Sequence, residues 1–198
     1  MNTLSKNVAI LALTVVAISS GGAFAMIQDD QAPQITDDGA KIFGHIELVA
    51  RDANGEIKAY RQTDNLVVTE GLGCTSDLMF GTSHCTGEAA GGFTVIGVGT
   101  GTSGPVAGDT DIQTQASNKR LDSAAVNSGS NGAVIETQWL ANTLKNGTGT
   151  TAITESALFD STGNATGNIF ARQTFTAINI GVSDTLTVTW TITFDSAP

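Results

Sequence analysis

Residues 185–194 read Thr-Leu-Thr-Val-Thr-Trp-Thr-Ile-Thr-Phe, a strict alternation of threonine with large apolar side chains. Successive side chains of a β-strand point to opposite faces, whereas a helix would scatter this pattern around its axis. The segment is therefore expected to be a half-buried antiparallel strand. Leu186, Val188, Trp190, Ile192 and Phe194 face a core, and five threonines face outward. Burying those five apolar side chains is worth about 7–15 kcal/mol of gross transfer energy, at roughly 1.5–3 kcal/mol each. One strand cannot realise that gain, so a sheet and a second packed layer are required. The composition agrees: 28 Thr and 23 Gly stand beside only 9 Lys+Arg, and the formal charge of -10 opposes nucleic-acid binding. A charged fraction of 14% is too low for a long coiled coil, and 40% hydrophobic residues can build a core that disorder would forgo.

Other segments carry the same period. In residues 41–51, Ile42, Ile46, Leu48 and Ala50 share one face and Phe43, His45, Glu47, Val49 and Arg51 the other. Asn54-Gly55 is a hairpin turn signal, so residues 41–63 are expected to form an N-terminal hairpin. Residues 68–80 break the strand pattern and suggest one short helix entered at Thr69 or Glu70, weakened by Gly71 and Gly73. Strands are expected at 93–98, 133–140 (Trp139 inward), 152–159 and 168–180, with a glycine-rich loop at 99–111 and a turn at 161–167. Residues 112–126 lack a clear period, and a helical turn is expected before Leu121. The sum is an all-β chain: an antiparallel β-sandwich of about seven strands with one short helix near 69–80.

The N-terminus reads as an address. Lys6 precedes an apolar run at 8–18, small residues follow at 19–22, and Ala23-Phe24-Ala25 fits a cleavage triplet, so residues 1–25 are expected to be a secretory signal peptide. The competing reading is a retained membrane anchor, since residues 7–28 carry no charge. Cleavage leaves 8 basic against 19 acidic side chains, a charge of −11. Residues 26–40 are acidic and unpatterned, an expected flexible arm before a sandwich domain at 41–198. In an exported chain the two cysteines, Cys74 and Cys85, are expected to form a disulfide. The alternative is a metal site of Cys74, His84 and Cys85, although its spacing matches no standard frame.

Motifs for chemistry are sparse, and no enzyme or cofactor is expected. Residues 99–104 match G-x-G-x-x-G after a strand, but Pro105, Gly108 and Asp109 follow where a nucleotide site needs a helix. A glycine-rich surface loop is the reading preferred. His45 reads as a strand-face residue, and neither it nor His84 sits in H-E-x-x-H. Asp109 and Asp111 are weak candidates for calcium, with solvated loop carboxylates as the blander reading. Asn146-Gly-Thr148 and Asn164-Ala-Thr166 are glycosylation sequons on turns.

Several phrases, in order, carry a resemblance. Residues 65–72 (NLVVTEGL), Asp77-Leu-Met-Phe-Gly81, 93–101 (FTVIGVGTG), Thr102-Ser-Gly-Pro105, Asp109-Thr-Asp-Ile112, Ile153-Thr-Glu-Ser-Ala-Leu-Phe-Asp160, Ala171-Arg172 and 185–194 stand at matching spacing. Together, over about residues 62–194, the chain resembles bacteriophage tail-fibre and tail-associated virion proteins. The resemblance implies a β-rich structural module with no catalytic residue to carry over. The signal-like leader and the cysteine loop depart from that family and suggest a secreted relative. The expected function is a secreted structural subunit of an extracellular filament, surface layer or virion-like appendage. It would form homo-oligomers or polymers by strand addition through residues 26–40, with Met26, Ile27 and Ile35 as anchors. The alternative is a secreted adhesin or glycan-binding module using loops 99–111 and 142–151. Nucleic acid is not an expected partner, and membrane is one only if the leader is retained.

Overall fold

The computed structural model describes residues 40–83, 85, 92–116, 120–127, 129, 131–144, 149–163 and 167–196, all within the unit Asp37–Pro198. The expected signal peptide, the arm residues 26–39 with Met26, Ile27 and Ile35, His84, Asn146 and Asn164 lie outside the described residues.

Among the described residues, ten strands and one helix follow in chain order: β1 (Ala40–Arg51), β2 (Ile57–Asp64), β3 (Leu66–Val67), α1 (Thr69–Phe80), β4 (Val95–Gly99), β5 (Leu121–Asp122), β6 (Ala125–Asn127), β7 (Gly132–Trp139), β8 (Thr151–Phe159), β9 (Ile169–Ile180) and β10 (Thr185–Ser196). They form two five-stranded antiparallel sheets, ordered β2-β1-β10-β7-β6 and β3-β9-β8-β4-β5. The fold is the expected all-β sandwich with one short helix. The seven expected strands correspond to the seven long ones. The three additional strands, β3, β5 and β6, have two or three residues each, too few to show a period. The helical turn expected before Leu121 is not found at 112–116, where Gln115 instead bridges Gly99.

The alternating segments pair with each other at the centre of the first sheet. β1 runs against β10 from Ala40↔Ser196 to Arg51↔Thr185. Their inward residues Ile46, Leu48, Leu186, Val188 and Trp190 are fully buried and pack with Trp139, Ile96, Ile153, Leu158 and Ile178 in the main core. Trp190 Nε1–H donates to Ser156 Oγ (3.2 Å), and that hydroxyl donates to the Gly97 carbonyl (2.9 Å), so the polar edge of the indole is satisfied inside the core.

The second sheet is covered on both faces. Val68, Val95, Ile112, Ala157, Phe159 and Ile169 form a separate cluster on its outer side. That double burial matches β4, an unbroken buried run, and the second half of β8, where residues 155–159 are all buried. α1 closes this side. Gly71, read from sequence as a weakness of the helix, is what allows the approach, because a Cβ there would lie 2.3 Å from the Phe170 carbonyl oxygen. Gly81, with φ of 68°, ends the helix in the left-handed conformation, its N–H returning to the Asp77 carbonyl.

On each lateral side the chain crosses from one sheet to the other. β2 passes through Asn65 into β3 on one side, and β5 passes through Ser123 and Ala124 into β6 on the other.

Candidate functional site

Asp109, which the sequence offered as a calcium candidate, joins Glu155 and Arg172 on the outer face of the second sheet. Glu155, on β8, is fully buried. Its Oε1 accepts N–H groups from Gly101 (2.7 Å) and Thr114 (2.9 Å). Its Oε2 accepts Gln113 N–H (3.0 Å) and both Nε (3.0 Å) and Nη2 (2.8 Å) of Arg172. Arg172, on the neighbouring β9, also donates from Nη1 to Asp109 Oδ2 (2.9 Å) and from Nη2 to the Ser103 carbonyl (3.0 Å). Five donors on one carboxylate, and acceptors on each guanidinium nitrogen, meet the condition under which a buried ion pair is tolerated. Burial works against the Arg172 charge, but Glu155 and Asp109 outweigh it and raise its already high pKa.

The glycine-rich loop is thereby explained. A Cβ at Gly99 or Gly101 would meet Glu155 Oε1 at 2.5 or 2.4 Å. The G-x-G phrase lets backbone close around an anion, as in a phosphate loop, but the anion is the protein's own Glu155. Residues 99–101 are therefore not the expected free surface loop: Gly99 and Gly101 are buried, and Thr154 Oγ1 donates to the Gly101 carbonyl (2.7 Å).

Asp109 and Asp111 are not brought together as calcium ligands, and neither is simply solvated. Asp109 pairs with Arg172 and also accepts Val106 N–H (3.0 Å). Asp111 pairs with the buried Arg120, which extends Nε to Gln115 Oε1 (3.2 Å) and stacks 3.4 Å from the Phe159 ring centroid. Burial lowers the pKa of Arg120, opposed by Asp111 and Asp160. Among the described residues no group of three or more His, Cys, Asp or Glu is placed to hold a metal. Asp160 closes the β8–β9 connection by accepting the N–H (2.7 Å) and Nδ2–H of Asn168. At the helix entrance, burial raises the pKa of Glu70, as do Asp160 and Asp111, while the Ile169 N–H opposes them. Glu70 Oε2 is buried without a hydrogen-bond partner.

Cys74 and Cys85 form the expected disulfide, with Cα atoms 5.0 Å apart, which excludes the cysteine metal site. Cys85 N–H also donates to Asp77 Oδ2, fastening the post-helix loop to α1. His45 stands on a strand face as expected. Its Nδ1 lies 3.0 Å from Asp64 Oδ1, an exposed contact. These two residues, with Phe43, Asn65, Thr191 and Thr193, border an open groove of about 200 Å³ on the first sheet. Sequence reasoning missed this groove because its lining comes from three separated strands and carries no motif.

No protein-family model, curated protein or solved structure matches the chain.

Proposed function

We propose that the chain is an exported structural subunit that assembles by β-strand addition into an extracellular filament, surface layer or virion-like appendage. The observation that carries this reading is the fate of the charged residues. Glu155, Arg172, Asp109, Arg120 and Asp111 are spent on each other and on backbone groups. They fix loop 99–116 to the sheet instead of presenting reactive groups to a substrate. The phrases that resemble virion structural proteins are the ones that supply this lock: Gly99, Gly101, Asp109, Glu155 and Arg172. The Cys74–Cys85 bond fits an oxidising compartment, as does the signal-like leader.

Electron microscopy and sedimentation of the purified chain test the reading. Fibres or sheets that disappear when residues 26–39 are deleted support it, and a stable monomer at every concentration contradicts it. A second reading, a glycan-binding module, rests on the groove beside Phe43, His45 and Asp64, where an exposed ring and a carboxylate stand together. The loop first favoured for that role, 99–111, is engaged by Glu155 and Arg172. Binding of the monomer to a glycan array, lost in Asp64→Ala, favours this alternative.

A further inference from the structure

We infer that the acceptor of the added strand is the free edge of β2, and that its occupant is the acidic segment 26–40 of a second copy. This rests on the strand-addition reading and names the site at which addition occurs.

The strands at the four sheet edges are β2, β6, β3 and β5, with eight, three, two and two residues. A typical strand has about 5–6 residues, so of these only β2 offers a template of useful length. Its backbone direction is fixed by the pairing with β1. Asn65 N–H donates to the Gly44 carbonyl, and the register runs without a break from His45↔Asp64 to Ala50↔Ala59. Residues 59, 61, 63 and 65 therefore bond inward, and the N–H and C=O groups of Tyr60, Gln62 and Asp64 point to the open side. The side chains confirm that direction. Arg61 Nη1 donates to the Tyr60 carbonyl (2.7 Å), and Gln173 Nε2 donates to the Asp64 carbonyl.

Across the seam lies β9, whose second half has no strand on its outer side among the described residues. It is the poorer template, because its pairing with β8 shifts register between Ile153 and Glu155. Arg61 spans the seam, with Nε donating to the Thr176 carbonyl (3.3 Å). The caps on β2 are thus exposed side-chain bonds, which an incoming strand replaces with ladder bonds of similar or better strength.

Charge selects the occupant. Residues 26–40 contain four Asp and no Lys or Arg. The described basic residues outside the buried lock, Lys41, Arg51, Lys58 and Arg61, all lie in the β1–β2 hairpin, which also carries Glu47, Asp52, Glu56 and Asp64; Lys58 pairs with Asp184, so the charge offered at the open edge is that of Arg61. Among the described residues Arg61 bonds to the Tyr60 and Thr176 carbonyl oxygens, and no carboxylate pairs with it. An acidic strand is attracted to Arg61 at this seam, within a chain whose overall charge of -10 otherwise repels it. Pro33 stands at an odd position, so every even residue from Gln28 to Asp38 keeps the N–H needed to bond β2 on one side.

The test compares the full chain with Gln62→Pro, Arg61→Glu and a deletion of residues 26–39, read by sedimentation, electron microscopy and thermal melting. Gln62→Pro removes an outward N–H that the β1–β2 ladder does not use. It is expected to melt near the parent temperature and to form no polymer. Arg61→Glu is expected to raise the critical concentration at least about tenfold, and more at low than at high salt. Polymers formed normally by both folded variants overturn β2 as the acceptor. If the deletion still abolishes assembly in that case, strand addition survives and only the edge is wrong. If the deletion polymerises like the parent, or the parent is monomeric, strand addition itself fails.

Discussion

Replacing Glu155 with Gln probes the lock with almost no change in volume. The carboxylate accepts five hydrogen bonds, three from backbone N–H groups and two from Arg172. A glutamine oxygen at the Oε1 position still accepts Gly101 and Thr114. Its amide nitrogen then faces Gln113 N–H and the Arg172 guanidinium, donor against donor. Arg172 keeps Asp109 and the Ser103 carbonyl but loses its fully buried counter-charge. Breaking a buried pair in this way costs about 3–5 kcal/mol. For a domain of this size each kcal/mol lowers Tm by about 2–4 °C, so a fall of roughly 6–20 °C is expected. Urea unfolding should show a lower midpoint at an unchanged slope. Amide hydrogen exchange should show Gly101, Gln113 and Thr114 losing protection before the β1–β10 ladder does. A cost below about 1 kcal/mol, with those three amides still protected, refutes the claim that Glu155 holds the loop.

Gly101→Ala should destabilise by about 1–3 kcal/mol, since the new Cβ would lie 2.4 Å from both Glu155 Oε1 and Gln113 Cβ, and its unfolding curve should resemble a milder Glu155→Gln. Glu70→Gln should stabilise the fold at neutral pH. The Glu70 pKa is raised in the folded chain by burial and the neighbouring Asp160 and Asp111, so its ionised form costs stability once pH exceeds the unfolded value. The gain over the parent should be absent below the unfolded carboxylate pKa and grow as pH rises through the folded one; a pH-independent difference in urea midpoint counts against this account. Asp184→Asn should show the opposite sign. Burial disfavours its charge, but the Lys58 ammonium and the Gly181 N–H prevail and lower its pKa, so the stability lost in the variant should be largest at neutral pH and fade in acid.

The long elements were legible because their physics is local. Alternation alone placed β1 and β10, and it assigned inward faces to Ile46, Leu48, Val188 and Trp190 that the structure keeps. The helix at 69–80 was legible because the strand period fails there. β3, β5 and β6 were not, since two or three residues carry no period and exist only because the chain crosses between sheets. The lock was half visible. Gly99 and Gly101 stood out as a G-x-G phrase, but with no helix to follow they read as a surface loop, and Glu155 carried no signal of its own. What joined them was hidden by distance along the chain: Gly101 and Glu155 are 54 residues apart, and Arg172 is a further 17. Asp109 and Asp111 misled for the same reason, because the arginines that claim them, Arg172 and Arg120, come from β9 and from the approach to β5.

Amide hydrogen exchange across β2, measured on the assembled material and on dissociated monomer, addresses the proposed assembly at single-residue level. Arg61 and Thr63 already bond β1 and should be protected in both states. Tyr60, Gln62 and Asp64 point outward, so their amides should exchange freely in the monomer and slow markedly on assembly. Equal exchange of those three amides in the two states, with protection appearing elsewhere, contradicts strand addition at this edge.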